Sequence, residues 1–341
     1  MALIKYAAPH ILPDDVRAIV NVMYSGWLTQ GEEVPKFEKE VAKYVGAKYA
    51  VAFNSATSAL LAGYKAVGMG EGTEVVTTPL SYVATANVMA LLGARIFFQD
   101  QEVLTGEFVV PVHFSGRPYR FYGERVVEDA SHALGSVDGG THIGSCKHSM
   151  VCVFSTHAIK NITTGEGGIA TTNSPDLADY MRALRSHGFY KDGLRLPGYN
   201  FRMTEIQAAL GRSQLKRIDS MRDQRQKIVD RYNRELAGYV KTPEPRDEPT
   251  FWHLYEIHLR GKTQRDKLAA YLKRHGIQTR VHYKPIYLEQ WYQEEGWQKG
   301  LCPKAEQHWA TELSLPLHNN LSVEDVEKVV DCVKKHLDKK V

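Results

Sequence analysis

Short apolar runs rich in β-branched residues punctuate the first half of the chain, at residues 49–53, 74–78, 95–100, 108–114, 125–129, 150–154 and 168–172. They are nearly continuous rather than strictly alternating. That pattern predicts strands covered on both faces, as in a parallel-rich α/β sheet. Elsewhere the apolar period lengthens to that of a helix. Residues 13–24 open with Pro13-Asp14-Asp15 and place Val16, Ile19, Val20 and Met23 on one face. Residues 32–45 do the same with Val34, Phe37, Val41 and Tyr44.

Thr204-Glu205-Ile206-Gln207 has the spacing of a capping box and opens a helical stretch that runs to about residue 236. A helix of that length is expected to bend, and here to connect two domains. Pro243, Pro245 and Pro249 then mark a loop. The last third reads as strand 252–259, helix 265–275, strand 278–283 and helices 304–311 and 323–336, with Ser322 and Asp325 capping the last. The expected division is a large domain over 1–220 and a smaller α/β domain over 221–341.

With 341 residues, 43% of them hydrophobic and 24% charged, the chain can bury a sizeable core. A formal charge of +4 is spread among interleaved acids and bases, which argues against a nucleic-acid stripe. No apolar stretch approaches the ~18 residues of a membrane helix, and the first residues lack the pattern of a secretory signal. Cys146, Cys152, Cys302 and Cys332 are widely spread, as expected of reduced thiols in the cytoplasm. His148 between the first two matches no standard zinc spacing, so no metal is expected.

Four segments at strand ends carry complementary chemistry. In Phe53-Asn54-Ser55-Ala56-Thr57-Ser58, a strand passes through small residues into a helix, whose free amides with the Thr57 and Ser58 hydroxyls can hold a phosphate. Tyr82, after the second strand, can stack on a flat heterocycle. Asp129 ends an apolar strand, with His132 three residues on; a carboxylate in a dry setting calls for a cation such as a protonated pyridine nitrogen. Lys160 lies between an apolar strand ending in Ser155 and the glycine-rich Gly165-Glu166-Gly167-Gly168. That is where an α/β protein can place a Schiff-base amine. Each segment alone also fits an ordinary cap, a half-buried aromatic, a structural carboxylate or a surface charge. Together, in this order, they match the requirements of pyridoxal 5′-phosphate (PLP).

Over nearly its full length the chain resembles the DegT-type family of PLP-dependent nucleotide-sugar aminotransferases. Further matching segments are Ser25-Gly-Trp-Leu-Thr-Gln-Gly31, Arg185-Ser-His-Gly188, Gly198-Tyr-Asn-Phe-Arg-Met-Thr-Glu205 and Leu315-Pro-Leu-His318. The resemblance implies the fold-type I, aspartate aminotransferase-like architecture: a mostly parallel seven-stranded sheet and a smaller C-terminal α/β domain. Asn54 to Leu61, Ser131 to Ser136 and Val281 to Tyr287 look most like the family's pseudaminic acid branch. Its members aminate C4 of UDP-2-acetamido-2,6-dideoxy-β-L-arabino-hexos-4-ulose, with L-glutamate as the usual donor.

By the same resemblance Lys160 would carry the cofactor and move the proton. Asp129 would pair with the pyridine nitrogen, His132 would sit at the ring edge and Tyr82 over a ring face. Ala56, Thr57, Ser58 and Ser155 would line the phosphate side, and Asn200 would reach the site of a neighbouring subunit in a homodimer. Tyr6, Gly26, Trp27, Leu28, Thr29, His282, Tyr283, Lys284 and Pro285 would line the nucleotide-sugar side, with Ala56, Ser155 and Asn200 also near the substrate. A related dehydratase would typically have histidine at the lysine position. An aminotransferase for another dTDP-, GDP- or UDP-ketosugar, or a PLP-binding regulatory protein without turnover, are the alternatives.

One departure from the family stands out. Members usually place crossover helices where this chain has only residues 101–107 and 115–124. Seven residues span roughly 25 Å when extended, whereas a crossover helix takes about a dozen or more. Both connections are expected as stripped loops, leaving one sheet face thinly covered or covered by another subunit.

Overall fold

Seven strands form one sheet in the computed structural model, which describes residues 3–100 and 102–338. They are β1 (Tyr49–Phe53), β2 (Glu74–Thr77), β3 (Arg95–Phe98), β4 (Val103–Val110), β5 (Arg120–Asp129), β6 (Val151–Ser155) and β7 (Gly168–Thr172). Their order is β3-β2-β4-β5-β6-β7-β1. β7 runs antiparallel to β6 and β1, and every other neighbouring pair is parallel. β6 and β7 are buried at every position, as their continuous apolar runs predict.

Alternate side chains feed two cores. Val51, Phe53, Val151 and Val153 pack under the helices Ala56–Ala66 and Pro175–Arg185. Ala50, Ala52, Cys152 and Phe154 pack under Glu33–Val45 and Glu205–Leu215. A third core joins Ile4, Val229, Tyr232, Leu268 and Val329. The expected boundary at residue 220 is therefore crossed. Ile4 belongs to the C-terminal core, whereas Ile286, Tyr287, Tyr292 and Ala305 join the first one. The helix Ile218–Leu236 gives its first turn to one core and its later turns to another.

The long helical stretch is two helices, Glu205–Leu215 and Ile218–Leu236, with the expected Thr204–Gln207 capping box present. The break is pinned by Arg217, which donates to Asp15 Oδ2 at 2.7 Å and to the His10 carbonyl at 2.6 Å. Residues 278–283 do not form the predicted strand. Arg280 makes a single bridge to Ser314, and then His282 N–H turns to the Glu312 carboxylate at 2.6 Å instead of a backbone partner. The place beside strand Tyr255–His258 is taken by Glu312–Leu315, a strand not anticipated.

Helix Pro13–Ser25 carries the apolar face that its sequence shows. Its apolar face is outward: Val16, Val20 and Met23 are 51%, 40% and 53% exposed. It docks on Glu205–Leu215 instead through buried Asp15, which also accepts from Gln214 at 2.7 Å. Buried hydrogen bonds, rather than the apolar stripe, set its orientation.

The short connections hold no crossover helix among the described residues; Gln101 lies outside them. Most of residues 102–107 and 120–124 are extended strand rather than loop, because β4 and β5 pair in parallel from Val103–Arg120 onward. Only Leu104, Val109 and Val126 form a small buried cluster there. Thr105, Glu107 and Arg125 are exposed, and Tyr122 is 74% exposed, so cover on this part is thin.

Candidate active site

The ends of β5, β6, β7 and β1 converge. Asp129 pairs with Val153, while Gly168 pairs with both Ser155 and Phe53. Helix Ala56–Ala66 begins directly against β7. A Cβ on Gly168 would lie 2.4 Å from the Ser55 carbonyl oxygen and 2.5 Å from Ala56 N, so glycine is what lets the helix start approach the strand. Ser55 caps the helix, accepting from Ser58 N–H at 3.1 Å. Ser58 Oγ donates to Asn54 at 2.7 Å. Ser58, expected on the phosphate side, is thus committed to the cap. The amides of Ala56 and Thr57 have no acceptor among the described residues and are open to an anion.

Lys160 sits in a turn after β6, closed by its N–H to the His157 carbonyl at 2.9 Å. Its neighbour Asn161 anchors that turn. The Asn161 amide donates to the carbonyls of His132, Leu134 and Phe251 at 3.2, 3.0 and 3.0 Å, and its oxygen accepts from Arg225 at 3.3 Å. The lysine is thereby fixed to the turn that follows Asp129. Burial lowers the Lys160 pKa to about 8, with the Asp129 charge opposing. Such an amine is partly neutral, hence nucleophilic, near neutral pH.

Asp129 is 3% exposed and accepts three hydrogen bonds. Oδ2 accepts from Thr85 Oγ1 at 2.6 Å; Oδ1 accepts from Ser131 N–H at 3.1 Å and Ser131 Oγ at 2.6 Å. These bonds fix its direction. His132 Nδ1 accepts from Ser115 N–H at 3.3 Å, which leaves Nε2–H facing the Tyr283 hydroxyl across a long 3.5 Å contact. Burial, then Lys160 and His282, push the His132 pKa well below its ordinary value, so the ring is neutral. His253 lies against it, ring centres 4.3 Å apart.

Tyr82, 62% exposed, meets the Tyr283 ring edge-on at 6.4 Å. His282 lies 5.9 Å from the Tyr6 ring, and Lys284 pairs with Glu289 at 3.2 Å. Just after Pro285, Ile286 N–H donates to the Pro79 carbonyl at 3.0 Å, fastening this segment beside the loop that carries Tyr82. Tyr6, Tyr82, His132, His282 and Tyr283 thus form one linked aromatic group.

Gly26, Trp27, Leu28 and Thr29 do not join it within one chain. All four are exposed, and Trp27 lines a separate cavity of about 1060 Å³ with Arg17, Arg212 and Lys216. Asn200 is exposed too, bridged to Ser186; its neighbour Phe201 accepts from Asn54 N–H at 2.9 Å. No local sequence pattern marks Thr85, Asn161 or His253. Their partners are distant along the chain, and only the polar character of Asn161 beside the lysine hints at a role.

The model of the DegT/DnrJ/EryC1/StrS aminotransferase family matches residues 9–110 and 107–334. This chain belongs to that family. The two matched stretches meet inside β4, at the end of the shortened connection. The Bacillus subtilis spore coat polysaccharide biosynthesis protein SpsC is 35% identical over 97% of this chain and 96% of its own length. Among solved structures, Helicobacter pylori PseC, an aminotransferase of pseudaminic acid biosynthesis, superposes with a TM-score of 0.92 at 33% identity, covering 99% of this chain and 100% of its own. The PLP form of the sugar aminotransferase Spr1654 from Streptococcus pneumoniae also reaches 0.92, at 28% identity over 99% and 100% of the two chains. The DegT-family enzyme described here is a PLP-dependent aminotransferase of fold-type I. Its donors fit the cofactor: two unpartnered amides at a helix start, a buried carboxylate and a lysine of lowered pKa.

Proposed function

We propose that this enzyme moves an amine from L-glutamate to C4 of a UDP-linked 4-keto-6-deoxy sugar, UDP-2-acetamido-2,6-dideoxy-β-L-arabino-hexos-4-ulose, in pseudaminic acid-type surface-glycan biosynthesis in the cytoplasm. The observation that carries the reading is the full-length similarity to PseC, together with the aromatic group of Tyr6, Tyr82, His282 and Tyr283, whose His282 feels the charge of Lys160. When bound, PLP supplies the electron sink that stabilises negative charge on the reacting carbon. The residues supply the rest. Ala56, Thr57 and Ser155 would hold the phosphate, Asp129 the ring nitrogen, and His132 and Tyr82 the ring. Lys160 Nζ, neutral for part of the time near pH 7, takes a proton from one carbon and returns it at another position.

The working unit in this reading is a homodimer. An outward stripe of Leu12, Val16, Val20, Met23, Tyr24 and Trp27 supports it, since solvated chains rarely keep such a patch uncovered. Gly26 to Thr29 and Asn200, exposed in one chain, would then serve the partner's site.

The similarity to SpsC favours a second reading, in which the sugar belongs to another surface polysaccharide. Matched UDP- and dTDP-linked 4-keto-6-deoxy sugars, assayed with glutamate and read by NMR of the product, separate the two. Amination at C4 of the UDP sugar is expected. Preferred turnover of the dTDP sugar, or amination at C3, would overturn the assignment.

A further inference from the structure

We propose that Glu256, His258 and His308 bind a divalent transition-metal ion of the zinc class, outside the Lys160 cluster. Glu256 and His258 stand two apart on strand Tyr255–His258 and so leave the same face; His308 comes from the helix Pro303–Thr311. One ligand atom from each lies within 4.8 Å of the others, with Glu256 Oε2 3.8 Å from His308 Nε2.

Glu256 is 1% exposed, and its Oε2 has no hydrogen-bond partner. Such an orphaned buried oxygen is costly, and a cation would remove that cost. Arg117 occupies the other oxygen at 3.0 Å, which leaves Oε2 as the donor to a metal. His258 Nδ1 is bonded to Thr311 Oγ1 at 2.9 Å; that contact fixes the ring and leaves its other nitrogen free, an arrangement common behind metal-bound imidazoles. His308 Nε2–H donates to the His282 carbonyl at 3.0 Å; the ion would displace that proton and take the carbonyl as a fourth ligand.

Two imidazoles and a carboxylate suit zinc better than calcium or magnesium. Donors around tetrahedral zinc lie roughly 3.4 Å apart, so the set closes with side-chain shifts of about 1 Å. The ion would tie the strand, the helix and His282 together. Tyr283, which follows His282, carries that anchorage to His132.

The test uses PLP-loaded enzyme, stripped with a chelator and dialysed, then titrated with Zn²⁺ by calorimetry and with Co²⁺ by visible absorption. Expected are one ion per chain with Kd below roughly 1 μM and the intense cobalt bands of tetrahedral coordination. Glu256→Gln and His258→Ala should each weaken binding at least about tenfold. His275→Ala, at an exposed histidine elsewhere, should leave it unchanged. The cobalt spectrum of the unaltered enzyme decides the matter should a variant fail to fold. Absence of stoichiometric binding, a weak octahedral spectrum, or equal losses in His275→Ala and His258→Ala would overturn the proposal.

Discussion

The two ends of the β4–β5 pair share one hydrogen-bonded ladder but sit in opposite surroundings. At the C-terminal end Val109, Val110, Val126, Val127 and Asp129 are buried, and the carboxylate has three hydrogen bonds. At the N-terminal end Thr105, Glu107, Tyr122 and Glu124 face solvent, with Leu104 buried among them. The site therefore depends on contacts made where strands finish, and not on a helix crossing the sheet behind them. A chain of this family can shed that cover while its chemistry stays framed.

The largest expected effect lies at the buried end. Asp129→Asn keeps the shape but removes the charge, and turnover should fall roughly 10²- to 10⁴-fold; steady-state kinetics at saturating PLP checks it. Next comes Gly168→Ala, whose methyl group meets the Ser55 carbonyl and the Ala56 amide. It should destabilise the enzyme by about 1–3 kcal/mol, read as a lowered urea midpoint, and weaken PLP retention on gel filtration.

A smaller effect concerns acid. Burial holds His132 and His253 neutral with pKa values well below 6.5. Unfolding exposes them to protonation, so below about pH 6.5 the unfolded chain binds more protons. Their contribution is complete above that pH and is lost as the pH falls through and below it. Urea midpoints at pH 7 and pH 5 should differ accordingly, and replacing His253 by Gln should shrink the difference. The smallest effect belongs to the solvated end: Tyr122→Ser should change stability by no more than about 0.5 kcal/mol and leave turnover intact. A large loss there would break the contrast between the two ends.

Local pattern made much of this legible. Residues 49–53 and 168–172 appear as strands with their expected limits, since continuous apolar runs bounded by turn residues carry their own signal. The turns bearing Ser55, Asp129 and Lys160 were equally readable as polar groups at the ends of such runs. What escaped depends on distant partners. Thr85, from the helix Ala84–Leu91, meets Asp129, and Asn161 binds carbonyls of two separate loops, without any periodic trace. The outward direction of the face on helix Pro13–Ser25 escaped for a related reason. An apolar stripe announces burial, but not whether the same chain provides it. Residues 278–283 looked like a strand because side-chain type cannot report that Glu312 captures the His282 amide.

The framed end stands or falls on which amine takes the cofactor. Borohydride reduction of PLP-loaded enzyme, followed by proteolysis and mass spectrometry, would locate the covalent pyridoxyl group. Lys160 should carry it, and labelling of the cofactor-free protein by an amine reagent should titrate at about 8 at that residue. A pyridoxyl group on any other lysine, or none on Lys160, would contradict this assignment.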